Sequence, residues 1–171
     1  NETDYASPAG KDFLSFNSNG FTVGEQVMWN VNSGSMVGWQ WRASNTTPVT
    51  NTSGSITSTV SANTTAGFSI VSYTGNGVTG ATVGHGLGVT PSFIVTKNRT
   101  NSASSWIIYH TSLGATKYAD WPASSVYTDS GAWNNTAPTS SLITMGSYNV
   151  GATTYIAYCW APIKGFSAFG S

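Results

Sequence analysis

Two histidines, one cysteine and six carboxylates are the side chains with which this chain can do acid–base, nucleophilic or metal chemistry. The histidines are His85 and His110, the cysteine is Cys159, and the acids are Glu2, Asp4, Asp12, Glu25, Asp120 and Asp129. A transition-metal site needs several such ligands to converge, and no spacing here brings them together. The acids do not fall at calcium-loop intervals. Glycoside hydrolysis needs two carboxylates across a cleft, and nothing places Asp120 and Asp129 that way. Serine is plentiful, but no G-x-S-x-G nucleophile elbow occurs. Gly84-His85-Gly86-Leu87-Gly88 looks like a phosphate loop but lacks the Lys-Ser/Thr and the helix that follow one. It reads as a corner in which His85 hydrogen-bonds backbone groups and pins the turn. Cys159 sits in an apolar run and reads as a buried, inert thiol, with no second cysteine to pair with. The expectation is a protein that is not an enzyme and uses no metal and no cofactor.

Sugar binding needs different residues. Sugars stack their C–H faces on Trp and Tyr beside hydrogen-bonding polar groups. Trp106, Tyr109, His110, Trp121, Tyr127 and Trp133 are the candidates for such a platform. Each of these aromatics has burial in the core as its competing reading. Trp121 and Trp133 lie in polar loops, where that competing reading is weakest.

The elements that position these residues are strands. Only 7% of the chain is charged and its net charge is zero, against about a quarter charged in an ordinary soluble domain. Six Lys and Arg without a basic stripe argue against nucleic acid and against a charged membrane-surface helix. No apolar run approaches the ~20 residues of a membrane-spanning helix. Aromatic residues reach 13%, enough to build a core without many charges. Low charge with abundant Ser, Thr, Asn and Gly is common in extracellular fibres, adhesins and virion parts.

Phe68-Ser69-Ile70-Val71-Ser72-Tyr73 alternates at period two and ends on the turn Gly75-Asn76-Gly77. Strands are also expected at 12–16, 21–23, 27–31, 35–42, 92–97, 105–110, around Lys117 and Tyr118, at 124–128, and at 141–145. Residues 153–160 alternate with apolar residues on both faces, which predicts a central or interface strand. No window shows capped helical periodicity. The fold class is all-β, an antiparallel β-sandwich or jelly-roll-like module.

An internal echo sets the expected domains. Thr22-Val23-Gly24 with Val37-Gly38-Trp39-Gln40-Trp41 resembles Thr144-Met145-Gly146 with Ile156-Ala157-Tyr158-Cys159-Trp160. Gly165-Phe166-Ser167-Ala168-Phe169 resembles Gly67-Phe68-Ser69-Ile70-Val71. Residues 1–43 therefore read as the closing strands of a partial module or a strand-exchange segment. Residues 44–66 read as a Ser/Thr/Asn-rich linker, with an edge strand at 56–60 as the alternative there. Residues 67–171 read as a complete module, with 165–171 as the first strand of another or a closing strand that mimics it.

The same motifs carry a family resemblance. Gly67 to Gly77, Thr82 to Gly88, Trp106 to His110 with Leu113 to Lys117, Trp133 to Ser141 and Tyr155 to Trp160 resemble a tandem module of large structural proteins of marine tailed bacteriophages. The resemblance covers 67–171, and 12–66 resemble the end of a preceding module and its linker. Tyr118-Ala119-Asp120-Trp121-Pro122 departs from the plainer strand of related modules. The module often neighbours lectin-like sandwich domains and brings no catalytic or binding residues with it. The resemblance implies a virion or extracellular structural role in a tail fibre, appendage or capsid decoration. The implied partners are copies of itself or neighbouring virion subunits. The alternatives are an adhesin for host surface glycans and a self-assembling extracellular filament subunit.

Overall fold

The computed structural model of the chain describes residues 13–24, 31–101, 103–121, 123, 125–129 and 131–170. The expected lead-in at 1–11, Asp12, and the expected strand at 27–31 apart from Val31 lie outside the described residues. The chain divides into two compact units, 1–41 and 42–171.

In the first unit, β1 (Phe13–Asn17) and β2 (Gly20–Val23) form an antiparallel hairpin around Ser18-Asn19, with an irregular register between Phe13 and Ser15. The polar turn residues supply the reversal. Phe13 packs on Phe16 at 4.6 Å and on Phe21 at 5.7 Å between ring centroids. All three rings remain exposed, Phe16 by 80%. The strand expected at 35–42 does not form. Alternation favours a strand only where a neighbour pairs with it, and Val37, Trp39 and Trp41 all stay exposed.

The second unit is built on an eight-stranded sheet. Its strands are β3 (Val49–Asn51), β4 (Ser58–Asn63), β5 (Phe68–Thr74), β7 (Phe93–Asn98), β8 (Trp106–His110), β9 (Lys117–Trp121), β10 (Val126–Thr128) and β12 (Thr154–Trp160). The spatial order is β10-β9-β8-β7-β12-β5-β4-β3, and every ladder is antiparallel. β6 (Thr82–Gly84) and β11 (Leu142–Thr144) form a separate antiparallel ribbon. No helix occurs among the described residues. The protein is all-β, as its periodicity predicts.

β12 is central. It pairs with β5 from Thr154 opposite Thr74 to Trp160 opposite Phe68, and with β7 from Tyr155 opposite Asn98 to Trp160 opposite Phe93. Its alternation sends Tyr155, Ala157 and Cys159 to one face and Ile156, Tyr158 and Trp160 to the other. The first set joins Val60, Val71, Tyr73, Ile94 and Tyr109 on the inner face, all buried. A second layer covers that face: Val83 and Ile143 of the ribbon, with Ala81, Leu87, Trp133 and Met145 from the loops beside it. Tyr73 and Tyr155 stack across β5 and β12 at 5.1 Å and 9°. The Tyr155 hydroxyl donates to the Tyr148 carbonyl at 2.7 Å and accepts the Val150 N–H at 2.9 Å. That satisfies backbone groups of a loop that joins no ladder.

Two expected boundaries are corrected. Residues 44–66 are not a linker: they contain β3 and β4, which extend the main sheet beyond β5. Ile56 reaches across to Val83 in an isolated parallel bridge, so this segment touches both layers. Residues 165–170 do not form a strand. Ile163 and Ser167 bridge across a turn at 164–166, and Phe166 points to solvent at 70% exposure.

Candidate functional site

The outer face of the eight-stranded sheet sets a cluster of aromatic rings beside a line of hydroxyl-bearing residues. Its composition follows from register. Ile156 lies opposite Lys97 and Ser72; Ser72 lies opposite Thr59, and Thr59 opposite Thr50. Thr96 pairs with Ile107, which sets the next residue pair, Lys97 and Trp106, side by side; Trp106 pairs with Trp121. One transverse row thus runs Thr50, Thr59, Ser72, Ile156, Lys97, Trp106, Trp121. It is hydroxyl-bearing at one end and aromatic at the other. Adjacent strands sit about 4.8 Å apart.

Aromatic rings continue from this row toward the end of β12. Trp106 and Tyr158 lie 6.3 Å apart, Tyr158 and Trp160 6.2 Å. Trp160 is flanked by Phe68 at 5.0 Å and Phe93 at 5.1 Å, and Phe169 stacks on Phe93 at 6.2 Å. The Lys97 ammonium stands 5.9 Å from the centre of the Trp106 ring and donates to the Ser104 carbonyl. A cation held over an indole face is attracted by the ring quadrupole. Trp121 is half exposed, and Trp106, Tyr158 and Trp160 are part-buried.

The six residues singled out for a glycan platform separate. Trp106, His110 and Trp121 share the outer face. His110 packs edge-on against Phe93, and its Nδ1 accepts the Ser112 N–H at 3.2 Å. Tyr127 lies toward the inner side of the edge strand β10, where it stacks on Tyr118 at 5.1 Å. Tyr109 and Trp133 are corrected: both are core, 4% and 1% exposed, and they meet edge to face at 5.8 Å. Tyr109 is three residues from Trp106, so strand alternation turns it to the covered face. Trp133 lies in a polar loop that folds down over that face. Tyr158 and Trp160 were missed as platform residues. The both-face alternation of β12 was their signal, but only pairing with β7 and β5 shows that they join Trp106.

The remaining reactive groups are held in structural roles. His85 is fully buried. Its Nδ1 accepts the Leu87 N–H at 3.3 Å, which leaves the Nε2 hydrogen to be donated to the Thr139 carbonyl at 3.2 Å. The imidazole therefore ties the glycine corner to the loop before β11. Burial lowers its pKa, opposed by the Thr139 hydrogen bond. The fold favours the neutral ring, whereas the unfolded chain protonates it near pH 6.5. The unfolded state thus binds more protons, and stability falls as pH drops below about 6.5. The urea midpoint should fall between pH 7.5 and pH 5, and His85→Gln should flatten that drop. An equal drop in the variant would assign it elsewhere. Cys159 is fully buried and its thiol is pushed up to about 12 by burial, a poor nucleophile at neutral pH. Asp129 accepts from the Tyr148 hydroxyl and from the Gly131 N–H at 2.8 Å. The Tyr148 hydrogen bond is the main cause holding its carboxyl below the usual range. Among the described residues no three His, Cys, Asp or Glu side chains group as metal ligands do.

A family model described as a domain of unknown function (DUF7483) matches residues 1–171. The chain belongs to that family. The DUF7483 match runs through both compact units rather than stopping at either boundary. No curated protein and no solved structure matches the chain. No helix among the described residues of this DUF7483 protein is long and apolar enough to cross a membrane.

Proposed function

We propose that this DUF7483 chain is a non-enzymatic structural module of a phage virion, in a tail fibre, appendage or capsid decoration, that assembles with copies of itself or with neighbouring virion subunits. The observation that carries the reading is the β1–β2 hairpin. A two-stranded hairpin on its own is marginally stable in water, and this one carries three exposed phenylalanines, with Phe16 and Phe21 each packed on Phe13. Such a face is a surface to be covered. The phage setting and the tandem arrangement rest on the resemblance of residues 67–171 to modules of large phage structural proteins. The low charge and hydroxyl-rich surface suit a virion or extracellular place. An assembly contact that closes on itself gives a ring, and one that does not gives a filament.

Light scattering after size exclusion, with electron microscopy, tests this on the full chain over a rising concentration series. Assembly should grow with concentration, and Phe16→Asp should abolish it while the far-ultraviolet spectrum stays unchanged. Monomers alone at every concentration, or assembly indifferent to Phe16→Asp, would overturn the reading.

A further inference from the structure

We infer that the outer face of the eight-stranded sheet binds a neutral glycan chain, laid across the strands from the indoles of Trp121 and Trp106 toward the hydroxyls of Ser72, Thr59 and Thr50. The inference goes beyond assembly through the hairpin and does not depend on it.

The first support is the division of one row into two chemistries. A pyranose presents apolar C–H faces and a rim of hydroxyls. Trp121, 50% exposed, offers an indole to stack on, with the part-buried Trp106 opposite it on the neighbouring strand. In register with it, Ser72, Thr59 and Thr50 offer hydroxyls that both donate and accept. Thr50 and Thr59 are exposed and Ser72 half-buried, so these groups face solvent along the same line. A wholly apolar protein surface docked there would strand the three hydroxyls without partners, at a cost.

The second support is charge. Lys97 is the only ionisable residue in the row, and its ammonium is engaged by the Trp106 ring and the Ser104 carbonyl. Among the described residues no carboxylate faces this row: Asp120, opposite Ile107, turns to the inner side of β9. A basic peptide finds no counter-charge, and a polyanion finds one committed ammonium. A neutral sugar chain asks for neither. Lys97 instead braces the Trp106 ring, which keeps an aromatic platform rigid and reduces the entropy lost on binding.

The third support is accessibility without strain on the fold. Trp121 is 50% exposed on β9, next to the edge strand β10. Its removal leaves the buried cluster untouched, so binding and folding are separable.

The test uses the full chain on an array of neutral hexose and N-acetylhexosamine oligosaccharides. Cellohexaose, laminarihexaose and chitohexaose are then titrated in solution by calorimetry. At least one neutral oligosaccharide should be retained. Trp121→Ala should weaken it about tenfold, as loss of one stacked ring implies. Thr59→Val should weaken it several-fold by removing a hydroxyl at constant shape. Trp39→Ala removes an exposed tryptophan of the first unit and should leave binding unchanged. Repeating the titration on Phe16→Asp separates binding from assembly: retained binding in dispersed protein stands even if the assembly reading fails. No retention of any neutral glycan, or binding indifferent to Trp121→Ala and Thr59→Val, overturns the inference. So does a change of oligomeric state in Trp121→Ala without glycan binding, which would make the face an interface between copies.

Discussion

Trp133→Ala should lower the unfolding free energy of the chain by about 3–5 kcal/mol, the range for removing a buried Trp side chain. Trp133 belongs to the layer of loops that covers the inner face of the main sheet. Its ring is 1% exposed and meets Tyr109 edge to face. The loop cannot collapse into the vacated space without cost, because it is tied on both sides. Gly146 donates its N–H to the Ala132 carbonyl at 2.8 Å, and Thr136 donates to the Trp133 carbonyl at 3.0 Å. Asn134 and Asn135 hold positive φ values of 49° and 52°, a conformation asparagine tolerates better than most residues. A cavity therefore persists in the variant, and cavity volume is what separates costly truncations from mild ones. Urea unfolding followed by far-ultraviolet circular dichroism measures the effect without relying on tryptophan emission. Trp133→Phe should recover much of the loss. A change in Trp133→Ala within the ~0.5 kcal/mol typical of surface substitutions would mean that the ring does not support the core.

Gly67→Ala should cost about 2–4 kcal/mol, from positive φ and steric overlap together. Gly67 precedes β5 with φ of 66°. A methyl there would lie 2.5 Å from the Ala161 carbonyl oxygen and 2.7 Å from Ile163 Cγ1. The oxygen is backbone, and the chain beside it is pinned, since the Ala161 N–H donates to the Gly67 carbonyl at 2.8 Å. Gly88→Ala is the matched control. Its φ is 73°, yet a Cβ there meets nothing within 4 Å. It should cost only the left-handed backbone, about 1–2 kcal/mol. The difference between the two variants in urea unfolding measures the clash. Equal losses at both sites would show that chain direction alone, and not contact between Gly67 and the end of β12, makes glycine necessary.

The strands richest in apolar alternation were legible in the sequence, β12 above all, because it sends one apolar set into the core and a second, aromatic set to the outer face. β3 and β4 were hidden by their composition. Ser58 is 2% exposed on the inner face and is satisfied by donating to the Gly84 carbonyl at 2.9 Å. The two layers approach so closely there that a Cβ on Gly54 would lie 2.3 Å from the Thr82 carbonyl oxygen, and one on Gly84 2.3 Å from Asn51 Oδ1. Such packing demands small and polar residues, and small polar residues look like linker. The opposite error arose at 35–42, where Trp39 and Trp41 alternate well but join no ladder among the described residues. Of the platform residues, strand parity alone separates Tyr109 from Trp106 and His110. Which parity is covered depends on partners distant in sequence, and neither composition nor spacing carries that information.

The position of β12 has a consequence for the order in which the fold can come together. β5 and β7 do not pair with each other; β12, which follows both in sequence, lies between them. Until residues 154–160 leave the ribosome, β3-β4-β5 and β7-β8-β9-β10 are two separate meanders, each with an open inner edge. Each can form from local pairings, which are fast. Their union waits for a strand whose partners on β5 are synthesised 80 to 92 residues before it. The eight-stranded sheet is thus closed by β12, and until then it carries two exposed, apolar strand edges of the kind that invite pairing with the wrong chain.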